Sequence, residues 1–186
     1  RIVVYGGSGV PTLVSTVGGT PPTPGGFNGP FGVAYGPGGE LYVADWFNHR
    51  IQKFDADGVF ELEWGGYGAR NGSLIFPRNV VVDAAGNVVV TDSENNRIDL
   101  FTSEGAFIRQ VKPPGSDPLR RPHQTALDGD TFWIADTINN RVIHLGPTGV
   151  LMGQFAVPGG KPQGIAVDAA GVLGEPVRQR EQRAGL

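Results

Sequence analysis

Cysteine is absent from the 186 residues, which excludes disulfides, thiolate metal sites and a cysteine nucleophile. No apolar run approaches membrane-spanning length, and no charged-then-apolar leader opens the chain. Charge of one sign is also missing in excess. A formal net charge of -3 gives no electrostatic reason to expect nucleic acid or an anionic membrane. A start methionine is lacking as well, and the first residues fall inside a repeated pattern, so the expectation is a fragment of a longer protein. None of these absences assigns a compartment.

What is abundant is glycine (30) and proline (15), about a quarter of the chain together. The glycines recur in register with apolar runs and are read as hairpin turns. The most recognisable stretch is Asp45-Trp46-Phe47-Asn48-His49-Arg50-Ile51. It returns as Asp92-Ser93-Glu94-Asn95-Asn96-Arg97-Ile98 and as Asp136-Thr137-Ile138-Asn139-Asn140-Arg141-Val142, at spacings of 47 and 44 residues. A period in the forties with strand signals on both sides is the sequence form of a β-propeller blade.

The first full unit is predicted over 30–64, with strands at 31–35, 41–45, 50–54 and 59–64, the last two alternating as half-buried strands do. Units over 77–111 and 122–155 repeat it, a partial blade spans 162–173, and 1–17 reads as the last two strands of a further one. The fold class is therefore all-β: a partial propeller of four-stranded antiparallel blades, about three complete and two incomplete. From 174 to 186 the alternation stops. That tail has two readings, a polar disordered segment or a frameshift, since reading the codons one nucleotide later permits Trp, Val and a later Asn.

Asp45, Asn48 and Arg50, with Asp92, Asn95, Arg97, Asp136, Asn139 and Arg141, are expected to be structural. Asp and Asn bond their own backbone in tight turns, and the planar Arg fork reaches carboxylates or carbonyls. The Asn-x-Arg-Ile/Val letters, with the upstream Pro-x-x-Val-Ala and Leu-Tyr-Val-Ala-Asp pattern, resemble the NHL repeat over residues 1 to about 173. That resemblance implies a ring of about six four-stranded blades.

Function is expected where the copies differ. The positions offered on one loop face are Trp46-Phe47, Ser93-Glu94, Thr137-Ile138 and the residues after each blade-opening proline: Phe31, Arg78, His123 and Gln163. Adjacent aromatics in a turn, with a nearby arginine, suit an interface hot spot. The alternative is that Trp46 or Phe47 packs on the next blade's loop. The binding residues predicted are Trp46, Phe47, Arg78, His123 and Gln163, and the partner a protein or peptide, without a cofactor.

Pro122-His123 also resembles the Pro-His segment of peptidyl-hydroxyglycine amidating lyases. That resemblance implies histidines from several blades on one central metal, yet the matching positions here hold a single imidazole; His49 and His144 are expected to point away. Lys112, Arg120 and Arg121 flank a Pro/Gly loop and are the candidates for RNA phosphates, as in some tripartite-motif NHL proteins. No broad basic stripe accompanies them, so nucleic acid is not favoured. Asp55-Ala56-Asp57-Gly58 starts like a calcium loop without the later ligands, and is read as a hairpin turn. The inner-strand aliphatics Val33, Val81, Leu127 and Ile165 are expected to pack blade on blade.

Overall fold

The computed structural model describes residues 2–6, 12–17 and 23–168. The predicted tail 174–186 and the last five residues of the partial blade, 169–173, lie outside them. Three four-stranded antiparallel sheets follow one another along the chain, beside a separate two-stranded sheet. The pair is β1 (Ile2–Gly6) and β2 (Thr12–Val17). The first blade holds β3 (Pro30–Tyr35), β4 (Leu41–Asp45), β5 (Arg50–Phe54) and β6 (Phe60–Gly65). The second holds β7 (Pro77–Val82), β8 (Val88–Asp92), β9 (Arg97–Phe101) and β10 (Phe107–Val111). The third holds β11 (Thr125–Asp128), β12 (Thr131–Asp136), β13 (Arg141–Leu145) and β14 (Leu151–Ala156). Each sheet runs in chain order, so every connection within a blade is a hairpin.

The first strand of each blade lies beside the first strand of the next, β3 against β7 and β7 against β11. Cores fill the space between blades, because the middle strands are apolar on both faces. Tyr42, Ala44 and Ile51 of the first blade meet Val80, Val88, Val90 and Phe101 of the second. Val89, Ile98 and Leu100 on the other face of the second blade meet Phe132, Ile134, Ile143 and Leu145 of the third. Beyond the third blade, Ala135 and Val142 pack on Ile165.

Two expectations need correction. Val33 is 48% exposed instead of packed, because the side chains of β3 alternate and Val33 shares the exposed side with Tyr35, while Ala34 between them packs on the interblade core. Val81 and Leu127 do pack against the interblade core, and Ile165 is buried. A strand over 164–168 is not formed; only Val167 makes a bridge.

Candidate functional site

The repeated motif sits where three strands and a loop meet. Pro30 pairs with Asp45 and Asp45 with Arg50 in register, and the same holds for Pro77, Asp92 and Arg97. One oxygen of each aspartate accepts the side-chain N–H of the following Asn and Arg: Asn48 at 2.8 Å and Arg50 at 2.9 Å on Asp45, Asn95 at 2.7 Å and Arg97 at 3.1 Å on Asp92, Asn139 at 2.8 Å and Arg141 at 2.7 Å on Asp136. The other oxygen accepts a backbone N–H from the loop leading into that blade, from Asn28, Ile75 and Arg120 respectively, at 2.7–2.8 Å. The arginine fork completes the tie by donating to carbonyls of the same loop, Gly26 in the first blade and Ala69, Arg70 and Ser73 in the second. In the third blade Arg141 also pairs with the Asp117 carboxylate. All three aspartates are fully buried, so these bonds replace water that the carboxylates have lost.

A second set of ties crosses from blade to blade. The residue before each Arg is left-handed: His49, Asn96 and Asn140 have φ of 55°, 56° and 53°. Their side chains accept the N–H of the residue before the next blade's opening proline, Phe76 at 3.0 Å, Arg121 at 2.8 Å and Lys161 at 2.9 Å. Those residues are left-handed too, with φ of 53°, 47° and 52°, and Gly29 holds the matching place with 64°. A left-handed non-glycine costs on the order of 1 kcal/mol, and proline next in line disfavours it further. Burial lowers the pKa of His49, which keeps its Nδ1 free to accept.

This geometry aims side chains at one loop face, where an aromatic group forms. Trp46 lies 4.3 Å from Phe47, 5.4 Å from Phe76 and 5.8 Å from Phe31, ring centre to ring centre. The Arg78 guanidinium stands 5.3 Å from the Phe31 ring and 5.1 Å from the Trp46 ring. Its Nη1 donates to His123 Nε2 at 2.8 Å, and Phe31 meets the His123 ring at 5.2 Å. Burial and the Arg78 charge both lower the pKa of His123, while a hydrogen bond to the Gln163 backbone raises it. The imidazole is therefore neutral at pH 7, with Nε2 accepting from Arg78.

Of the five predicted binding residues, Trp46, Phe47, Arg78 and His123 are contiguous. Gln163 is exposed and joins them through its backbone. Trp46 is half-buried against Phe76, the alternative expected of it, while Phe47 stays 48% exposed. Two of the offered turn residues are not available: Ser93 is buried, and Thr137 is buried with its hydroxyl donating to the Pro162 carbonyl at 2.7 Å. His49 is a further neighbour of the aromatic group. Its ring lies 4.4 Å from Phe76 and 5.1 Å from Tyr67, so it belongs to the aromatic face. His144 is elsewhere, stacked on Trp133 at 3.9 Å.

Sequence reasoning missed Phe76. The available signal was its place directly before a blade-opening proline, a position that the repeat makes left-handed. Of the basic candidates, Arg121 is paired with Glu94 at 2.5 Å. Asp55 Oδ1 accepts the backbone N–H of Asp57 and Val59, which is a hairpin turn. Among the described residues, no three His, Cys, Asp or Glu side chains gather as metal ligands.

Blades of four antiparallel strands, with their first strands side by side and cores between sheets, define a β-propeller architecture. The family profile for the NHL repeat matches residues 27–54 and 74–98. Two segments of the chain therefore carry the NHL repeat, on a β-propeller architecture. It is 36% identical over 104 residues to Protein brain tumor of Drosophila melanogaster, covering 55% of this chain and 10% of that protein. Among solved structures, virginiamycin B lyase from Staphylococcus aureus superposes with a TM-score of 0.64 at 19% identity, over 89% of this chain and 52% of that one. A gluconolactonase from Xanthomonas campestris gives 0.60 at 20% identity, over 77% and 54%. At these identities the two structures show the fold alone. The chain spans about a tenth of the fruit-fly protein and about half of each solved chain.

Proposed function

We propose that this propeller is a binding module that takes a protein or peptide segment on its loop face, over Trp46, Phe47, Phe76, Arg78 and His123. The observation that carries this reading is the aromatic group itself. Phe31 and Phe47 are each 48% exposed beside a half-buried tryptophan and a cation, the composition of interface anchors. The lyase reading has less support. His123 is one imidazole with an arginine on Nε2, and a guanidinium there competes with any metal for the same lone pair.

The test starts from a random peptide library displayed on phage and panned on the immobilised chain. Selected peptides are then titrated against wild type and Phe47→Ala. The expected result is about tenfold or greater loss of affinity in the variant, in the range of interface hot spots, with its melting temperature little changed. Equal affinity, or an inability to select any peptide, would overturn the reading. Trp46→Ala is the poorer probe, since Trp46 also packs on Phe31 and Phe76 and its loss mixes folding with binding.

A further inference from the structure

We propose that Arg78 reads a carboxylate on the bound segment, supplied by an acidic side chain or by a peptide's C-terminus; this rests on the peptide-binding reading above. Among the described residues, most other buried or half-buried Lys and Arg side chains are paired. Arg50, Lys53, Arg97 and Arg141 each hold at least one carboxylate within 4.0 Å. Among the described residues Arg109 has no such partner, but it lies against Phe132 and shares its cleft with Asp83 and Asp130. Among the described residues, Arg78 has a neutral imidazole as its hydrogen-bond partner and no carboxylate within 4.0 Å. Its environment disfavours the charge: burial and the Arg121 cation lower its pKa, opposed by Glu94. Glu94 is already bound by Arg121 at 2.5 Å.

A half-buried cation without a counter-charge is costly, and a structure that retains one leaves room for an anion to offset that cost. The shape of the vacant side is informative. Of the five guanidinium N–H groups, Nη1 donates to His123, and the Nε–Nη2 edge meets no protein acceptor among the described residues. The rings of Phe31 and Trp46, within 5.3 Å of the guanidinium carbon, restrain it and shield it from water. A planar fork presented edge-on between aromatics suits a planar bidentate acceptor, which a carboxylate is. A nucleic-acid backbone would instead need a file of cations along the face. Here the neighbouring Arg121 is paired and the net charge is -3.

The experiment uses the full chain on an array of random hexapeptides in three formats: amidated peptides without Asp or Glu, amidated peptides with one Glu, and Asp/Glu-free peptides with a free C-terminus. A decameric uridine RNA is the fourth arm. Each arm is read with wild type, Arg78→Gln and Arg78→Lys, and the melting temperature of every variant is recorded. Expected is preferential binding of one carboxylate-bearing format, weakened about tenfold or more by Arg78→Gln and less by Arg78→Lys, which keeps the charge without the fork. The favoured format tells an acidic side chain from a C-terminus. Equal binding of carboxylate-bearing and carboxylate-free peptides by wild type, or undiminished binding of the carboxylate-bearing format by a folded Arg78→Gln, would overturn the carboxylate assignment and leave peptide binding standing. RNA binding alone, or no binding in any arm, would overturn both. Should Arg78→Gln melt below the assay temperature, Arg78→Lys decides, and undiminished binding of the carboxylate-bearing format by that variant would count against the proposal.

Discussion

Asp99 shows how one letter that departs from the repeat changes the physics of a blade. It stands two places after Arg97, where the first blade has Gln52 and the third Ile143. Gln52 suits that place: its Nε2 donates to Gly26 and, at 3.1 Å, to Asp45, and its Oε1 accepts from Gly25. Asp99 instead adds a second buried carboxylate around Arg97, and its Oδ1 has no partner among the described residues. Burial raises its pKa to about 7, with Arg97 pulling down and Asp92 pushing up. The unfolded chain ionises an aspartate near pH 4. Between about pH 4 and pH 7 the folded state therefore binds the extra proton, so stability falls as pH rises through that window and levels off above it. Asp92 is shifted in the same direction, which is why a comparison of variants is needed. Asp99→Asn should be more stable than wild type at pH 8 by about 2 kcal/mol, or several degrees, with the gap closing toward pH 5. Thermal melts at four pH values decide it, and a variant no more stable at pH 8 would show that the Arg97 pair outweighs desolvation.

At the scale of elements, the close approach of inner strands depends on the second residue after each opening proline. Asn79 Oδ1 accepts the Thr125 N–H at 3.0 Å, and Gln124 Oε1 accepts the Ile165 N–H at 3.0 Å, so a side chain of one blade satisfies the backbone of the next. The first blade has Gly32 there, and β3 comes nearer: a Cβ at Gly32 would meet Arg78 O and Asn79 Cα at 2.7 Å. Gly32→Ala must push β3 away from β7, at a cost of about 1–3 kcal/mol. Gly164 occupies the same repeat position, but a Cβ there would find its nearest neighbour at 3.5 Å, so Gly164→Ala should be nearly neutral. Urea titration of the two variants tests this, and similar losses in both would refute it. Much at this scale was legible in the sequence. Strands β4 and β5 begin and end where the alternation predicts, because period and turn residues are local signals. The cross-blade partners were not legible. Nothing in the letters of Asn79 or His49 says that their acceptors face a residue 46 or 27 places on. The same limit hid Phe76, whose role stems from a left-handed backbone angle set by the whole repeat.

For the whole molecule, the blades are not equally covered, and the candidate site spans all three of them. The second blade is packed on both faces, and every residue of β8 and β9 is buried. The first and third blades each have a barer side: β3 alternates between half-buried and exposed, and in β14 Leu151, Met152 and Phe155 are 44–57% exposed. In a stacked repeat, stability is a sum of unit and neighbour terms, so the unit with two covered faces opens last. Arg78 is carried by that central unit, Trp46 by the blade before it and His123 by the blade after it. Local opening of either flanking blade would thus remove one side of the aromatic and imidazole surround while leaving the guanidinium in place. Hydrogen exchange on the full chain should find the slowest amides in β8 and β9, with the non-pairing edges of β3 and β14 faster by about tenfold or more. A peptide bound on the loop face should slow exchange in the flanking blades more than in the central one, since only they have stability left to gain. Uniform protection across the three sheets would mean that the chain opens as one cooperative body, and the site would then be lost or kept as a whole.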